Sequence, residues 1–339
     1  MKFSEPPRFS FIFKTVVFAL LCWFIVDRLF FQNDFQAQWA FFWQSIKPRN
    51  LYLLALVLVG MPLNWIVETW KWKILLRSQQ SFGRLLKGVV AGVTTGFVTP
   101  SRTGEFLGRV MYLEDAEPVR AFLLSSMGGI AQSVVTLVAG VFFVSLWNSD
   151  ALFIGMTTGV GVVFLFFYFR FEIINNKLSE IPALEKYQLF IPEDEFPSVP
   201  VQFQVLLFSL VRYTIYLLQY VLVFMFFGVS DSFFALVVHA GAFLVALTFS
   251  PLLPFLDFSF REGIALYIFR NFSTNTIGIL TGVSFIWLLN LVLPAVIGYF
   301  FILKRKPLPV EEKYSEIKGE VKEKLEELIE QEEEDEDEE

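Results

Sequence analysis

The sequence predicts an all-α polytopic membrane helix bundle with about six full spans, two further broken or re-entrant helical segments and a possible inverted repeat. Three observations predict it. Of the 339 residues, 55% are hydrophobic and 18% aromatic, with 42 Phe, which exceeds the roughly 45–50% apolar content of a soluble domain. Apolar runs of about 20 residues, enough to cross the hydrocarbon core at about 1.5 Å per residue, recur along the chain. Two further apolar regions are interrupted by proline and charge in their middle.

In chain order, "MKFSEPPRFSFIFK" is basic and leads into an apolar run with no small-residue cleavage site after it, so a retained first span at 9–31 is expected rather than a removed signal peptide. The lone cysteine, Cys22, lies in that run. It excludes a disulfide framework, and Leu21 before it is not the small residue an acylation site needs, so it reads as a small buried hydrophobe. "NDFQAQWAFFWQSIKPRN" mixes Trp, Phe and Gln around few charges, which suits either an interfacial helix at headgroup level or a plain connecting loop. A second span follows at 50–70, then the first interrupted region at 86–113, which breaks at "TPSRTGE". Spans at 119–147 and 150–169 complete a first half, 9–169. The Pro- and acid-rich segment 170–202 reads as a linker. The second half, 203–303, holds a span at 203–228, an interrupted region at 231–271 that breaks at "SPLLPFLDFSFREG", and a last span at 275–303. Residues 1–305 thus form the transmembrane domain and 306–339 an acidic tail.

The formal net charge of −7 belongs to that tail. From Lys304 onward there are 7 basic and 16 acidic residues, which leaves 20 basic against 18 acidic before it. Basic residues in short loops face the cytoplasm. Lys2, Arg8 and Lys14 precede the first span; Lys71, Lys73, Arg77, Arg84 and Lys87 follow the second; Lys304, Arg305 and Lys306 end the last. Both termini are therefore expected inside, with the chain multi-pass in the cell inner (plasma) membrane. Two topologies satisfy this. If both broken regions re-enter, they dip in from opposite faces, as an inverted repeat requires, and the linker is cytoplasmic; if both cross, the linker lies outside.

Irregular backbone at membrane depth is tolerated only where protein or water satisfies it, so the breaks mark polar sites, and charge there needs a partner or a substrate. In the first break, Glu105 and Arg109 lie four apart on one helical face, in the favourable order for an ion pair. Arg102 sits in the turn, freer to reach a phosphate. The second break offers Asp257, Arg261 and Glu262; the last two are adjacent, so on a helix they diverge to different partners. Arg212 lies within the fifth span and Glu68 near the end of the second, and either can snorkel to an interface instead. His239, the single histidine, fits a hydrogen-bonded structural role or a proton relay. No Cys or His spacing suits zinc, no Gly-rich loop with its lysine appears, and basic residues form no nucleic-acid patch, so neither cofactor nor metal nor nucleic acid is expected.

These residues carry a resemblance. "KWKILL", with Lys71, Trp72, Leu75 and Leu76, followed by Pro100, Arg102, Gly104, Glu105 and Arg109, resembles the flippase-like transmembrane region of the lysylphosphatidylglycerol synthase family. Pro251, Pro254, Arg261 and Glu262 stand where that family has a second, Pro- and Gly-rich break before a Glu, although "FLDFSF" replaces the usual glycines. The resemblance covers roughly 10–305. It implies a protein that moves an amphiphile, an aminoacylated phospholipid or lipid-linked sugar, between leaflets; the charged residues expected to hold such a substrate are Arg102, Glu105, Arg109, Arg212, Asp257, Arg261 and Glu262. It does not imply synthase activity, since the soluble aminoacyl-transferring domain would need some 200 folded residues beyond Lys306. The alternative is a non-transporting scaffold for a separate lipid or glycan enzyme, docking through the tail, where Val310, Tyr314, Ile317, Val321, Leu325 and Leu328 fall at helical spacing.

Overall fold

The computed structural model describes residues 19, 33–97, 99, 102, 104–113, 118–147, 151–179, 191–192, 196–249 and 257–303. The expected first span, apart from residue 19, and the tail with its expected docking helix lie outside these residues. The helices are α1 (Asn33–Ser45), α2 (Leu51–Leu76), α3 (Phe82–Phe97), α4 (Glu105–Val110), α5 (Pro118–Trp147), α6 (Ala151–Phe169), α7 (Phe171–Ser179), α8 (Val199–Phe226), α9 (Phe233–Thr248), α10 (Asp257–Phe269), α11 (Thr276–Trp287) and α12 (Leu293–Leu303). A π-helical turn, Leu288–Val292, joins the last two into one stretch. It precedes Pro294, which cannot donate to the preceding turn, so the ladder loosens there instead of breaking.

Four stretches are long and apolar enough to cross a membrane: Pro48–Leu76, Arg120–Trp147, Val199–Phe226 and Thr276–Leu303. The expected span at 150–169 reaches that standard only together with α7, across a bend of 64°. The described residues therefore carry four spans, or five with the bent pair, where about six were expected. The second span also runs further than expected, to Leu76, because Glu68 and Lys71 are neutralised inside the bundle rather than ending the helix at its surface.

α2 and α8 pack antiparallel along their whole length. Asn50 Nδ2 donates to Phe226 O (3.4 Å), Gln219 Nε2 to Val57 O (2.9 Å), Arg212 Nε to Asn64 Oδ1 (2.7 Å) and Arg77 Nη2 to Phe196 O (3.3 Å). Both interrupted regions reverse direction. α3 and α4 form a helical hairpin whose mouth is held by Arg84 Nε donating to the Tyr112 carbonyl at 2.9 Å. α10 returns to α9, so that Phe272, just beyond it, stacks on His239 with ring centroids 4.3 Å apart. α1 packs Phe41 and Phe42 against Phe227 and leaves Trp39 and Trp43 exposed, the amphipathic pattern of the interfacial-helix reading.

The packing is reciprocal. α3 lies against α12, with Gly298 over Thr94, and α9 lies against α5, with Gly140 over Val245. Thr94 and Val245 are 151 positions apart, as are the starts of α3 and α9. Gly140 and Gly298 are 158 apart, as are the starts of α5 and α11.

Candidate functional site

The site begins with a close approach. Gly88, Gly92 and Gly96 recur every fourth residue on α3 and present bare backbone to α4. A Cβ on Gly92 would stand 2.6 Å from Glu105 O, and one on Gly108 would stand 2.4 Å from the Ala91 backbone. Two threonines cover the backbone groups that the break strands: Thr99 Oγ1 accepts from Gly104 N (2.8 Å) and Thr95 Oγ1 from Gly108 N (3.2 Å). Arg102 makes the turn in the left-handed region, φ 59°. The hairpin is thus closed tightly enough to aim Glu105 and Arg109 at α2.

On α2, Asn64, Glu68, Lys71 and Trp72 share one face and are all buried. Glu68 accepts from Lys71 Nζ (2.8 Å), Arg109 Nη2 (2.8 Å) and Arg212 Nη1 of α8. Glu105 accepts from Arg109 (3.0 Å) and Arg102 (2.5 Å). Lys71 Nζ also donates to the Gly128 carbonyl of α5 at 3.2 Å, and the Arg109 guanidinium lies 5.7 Å from the Trp72 ring centroid. Four helices and the hairpin turn therefore converge on one network. It contains four cations, Lys71, Arg102, Arg109 and Arg212, and two carboxylates, an excess of two positive charges among the described residues. Of its cations, Arg102 and Arg212 are the accessible ones, with side chains 40% and 19% exposed, and Glu105 between Arg102 and Arg109 is 23% exposed. Arg102 Nε and Arg109 Nε have no acceptor among the described residues.

Of the expected residues, Arg102, Glu105, Arg109 and Arg212 come together here. Arg102 is not a freestanding cation: it shares Glu105 with Arg109. Glu68 does not snorkel to an interface; it is 3% exposed and binds three cations. Lys71 is not a cytoplasmic loop charge, being 1% exposed. The signal for both was present, since Glu68 and Lys71 lie three apart inside an otherwise apolar helix, where neither can stay uncompensated.

The second break builds a different group. Glu262 accepts from Gln38 Nε2 of α1 (3.3 Å) and from Ser284 Oγ of α11 (3.1 Å). Arg261 lies within electrostatic reach of Tyr220 on α8. Asp257 begins α10, and its side chain is outside the described residues. His239 has its Nδ1 2.7 Å from Ala235 O; a carbonyl only accepts, so Nδ1 carries the proton, and the ring is held structurally between this bond and Phe272. Among the described residues, no three His, Cys, Asp or Glu side chains are placed to hold a metal ion.

The family model described as lysylphosphatidylglycerol synthase TM region matches residues 11–298. No curated protein and no solved structure matches.

Proposed function

The chain belongs to the lysylphosphatidylglycerol synthase transmembrane-region family, multi-pass membrane proteins linked to lipid handling, and from that premise we propose that it is a flippase that moves a phosphate-bearing amphiphile between leaflets. The substrate class is an aminoacylated phospholipid or lipid-linked sugar. The observation that carries the proposal is the excess of two positive charges, among the described residues, in the network around Glu68 and Glu105, at a depth where unbalanced charge costs at least about 2.5 kcal/mol per group. A phosphate is the ligand that balances it. Arg102 and Arg212 offer the accessible donors, and the planar fork of arginine suits phosphate oxygens. Glu105 orients Arg102 until the headgroup competes for it.

The reciprocal packing supports an inverted repeat: antiparallel α2 and α8, two hairpins and two flanking spans are exchanged by a twofold axis in the membrane plane. In such a fold the halves rock about a fixed site to give alternating access. We assign the protein to the plasma membrane with both termini cytoplasmic and the hairpins entering from opposite faces. No bond-making step is assigned to this region.

The test is leaflet distribution. Arg102→Ala combined with Glu105→Ala removes one cation and one carboxylate and so keeps the local charge balance. In proteoliposomes bearing fluorescent phospholipids, and in cells, the double variant is expected to lose lipid exchange. Unchanged leaflet distribution of every lipid tested would overturn the proposal.

A further inference from the structure

Along the middle of α8, Ser209, Tyr213, Tyr216 and Tyr220 follow one another three or four residues apart on a single helical face, with Arg212 at its edge beside Tyr213. That face is turned inward: Ser209 and Tyr220 are fully buried and Tyr213 is 5% exposed, while Leu207 on the opposite side is 59% exposed. The stripe is polar yet poorly satisfied from within. Among the described residues, Ser209 Oγ and Tyr213 Oη have no hydrogen-bond partner. One neighbour shares the condition: Gln132 Oε1 of α5, whose Nε2 reaches Ser209 O at 3.3 Å. Stranding three such atoms in a dry membrane interior is strongly unfavourable, and water is the partner that would satisfy them.

The stripe joins two cationic places. Arg212 belongs to the network at Glu68. Tyr220, about 12 Å further along the helix, faces Tyr216 and Arg261 electrostatically, although among the described residues its hydroxyl makes no hydrogen bond of good geometry. We propose that this face of α8 is a hydrated track along which the anionic headgroup passes between the first hairpin's network and Arg261 at the second. The identity of the traveller rests on the flippase reading; the hydration does not.

The test uses the full chain with Cys22→Ala as background. Ser209→Cys and Tyr213→Cys are expected to react with a small hydrophilic thiol reagent at least about tenfold faster than Leu207→Cys, because only a hydrated thiol ionises readily. Labelling as slow as at Leu207→Cys would overturn the track. Tyr213→Phe supplies a second readout that needs no new thiol. Removal of an unpaired buried hydroxyl leaves thermal stability unchanged or raised, whereas loss of a wet hydroxyl from a headgroup path slows exchange of fluorescent phosphatidylglycerol about fivefold, the factor one net hydrogen bond carries. Undiminished exchange in Tyr213→Phe would overturn the translocation role. Slow labelling beside an inactive Arg102 and Glu105 double variant defeats the track alone; fast labelling beside a fully active double variant defeats the flippase reading and leaves a water path.

Discussion

Glu68 accepts from three cations while nearly excluded from solvent, so its carboxylate is the one group whose loss leaves Lys71, Arg109 and Arg212 facing each other. Removing one partner of a buried ion network is far more damaging than the network is stabilising, because the desolvation of what remains is uncompensated. Glu68→Gln is therefore expected to destabilise the protein by about 3–5 kcal/mol, read as a lowered unfolding temperature in detergent. Arg102→Ala, at a side chain 40% exposed, is expected to cost under about 1 kcal/mol, so the two variants separate architecture from ligand binding. The sequence made Glu105, Arg109 and Arg102 legible because Pro100 and Gly104 flank them in a broken apolar run. Glu68 and Lys71, three apart in an apolar helix, carried only a partial signal, because a charged pair near the end of a span looks the same whether it snorkels or is buried. Only the arrival of Arg109 and Arg212 from other helices decides between those outcomes, and no local pattern encodes that arrival.

At the level of elements, the first hairpin depends on glycine spacing as much as on its charges. Gly108 sits against the Ala91 backbone, which cannot swing away as a side chain can, so Gly108→Ala must separate α3 from α4. The expected cost is about 1–3 kcal/mol of stability, with weaker lipid exchange because Arg109 is drawn away from Glu68. Gly129→Ala on α5, where a Cβ meets nothing within 4 Å, is the matched control and is expected to be neutral or stabilising. Thermal unfolding of the two variants side by side checks this, and equal stability would mean that the close approach contributes nothing. The break itself could be read from "TPSRTGE", but the turning back could not, since 16 and 6 residues flanking a kink fit a bent span equally well. What distinguishes them is the glycine face at 88, 92 and 96, a signal of close helix contact rather than of direction.

For the whole molecule, the antiparallel contacts sort the chain by end. The first hairpin's mouth at Arg84 and Tyr112, the end of α12 at Phe301 and the linker residue Phe196 lie at one end; Asn50, Phe226 and the second hairpin's mouth at Val229 and Ser273 lie at the other. Among described residues, the first end carries Lys73, Arg77, Arg84, Lys87, Arg120, Arg170 and Lys177, and the second only Lys47, Arg49 and Arg270. On the orientation proposed above, this bias places the first end in the cytoplasm, and the antiparallel packing then has the two hairpins entering from opposite faces. With Cys22→Ala as background, an impermeant thiol reagent added to intact cells is expected to label Asp231→Cys and to spare Lys87→Cys until the membrane is opened. Labelling of Lys87→Cys alone would reverse the orientation yet preserve the twofold. Labelling of both would put the two mouths on one side, which antiparallel α2 and α8 cannot allow, and the inverted repeat would fall with it.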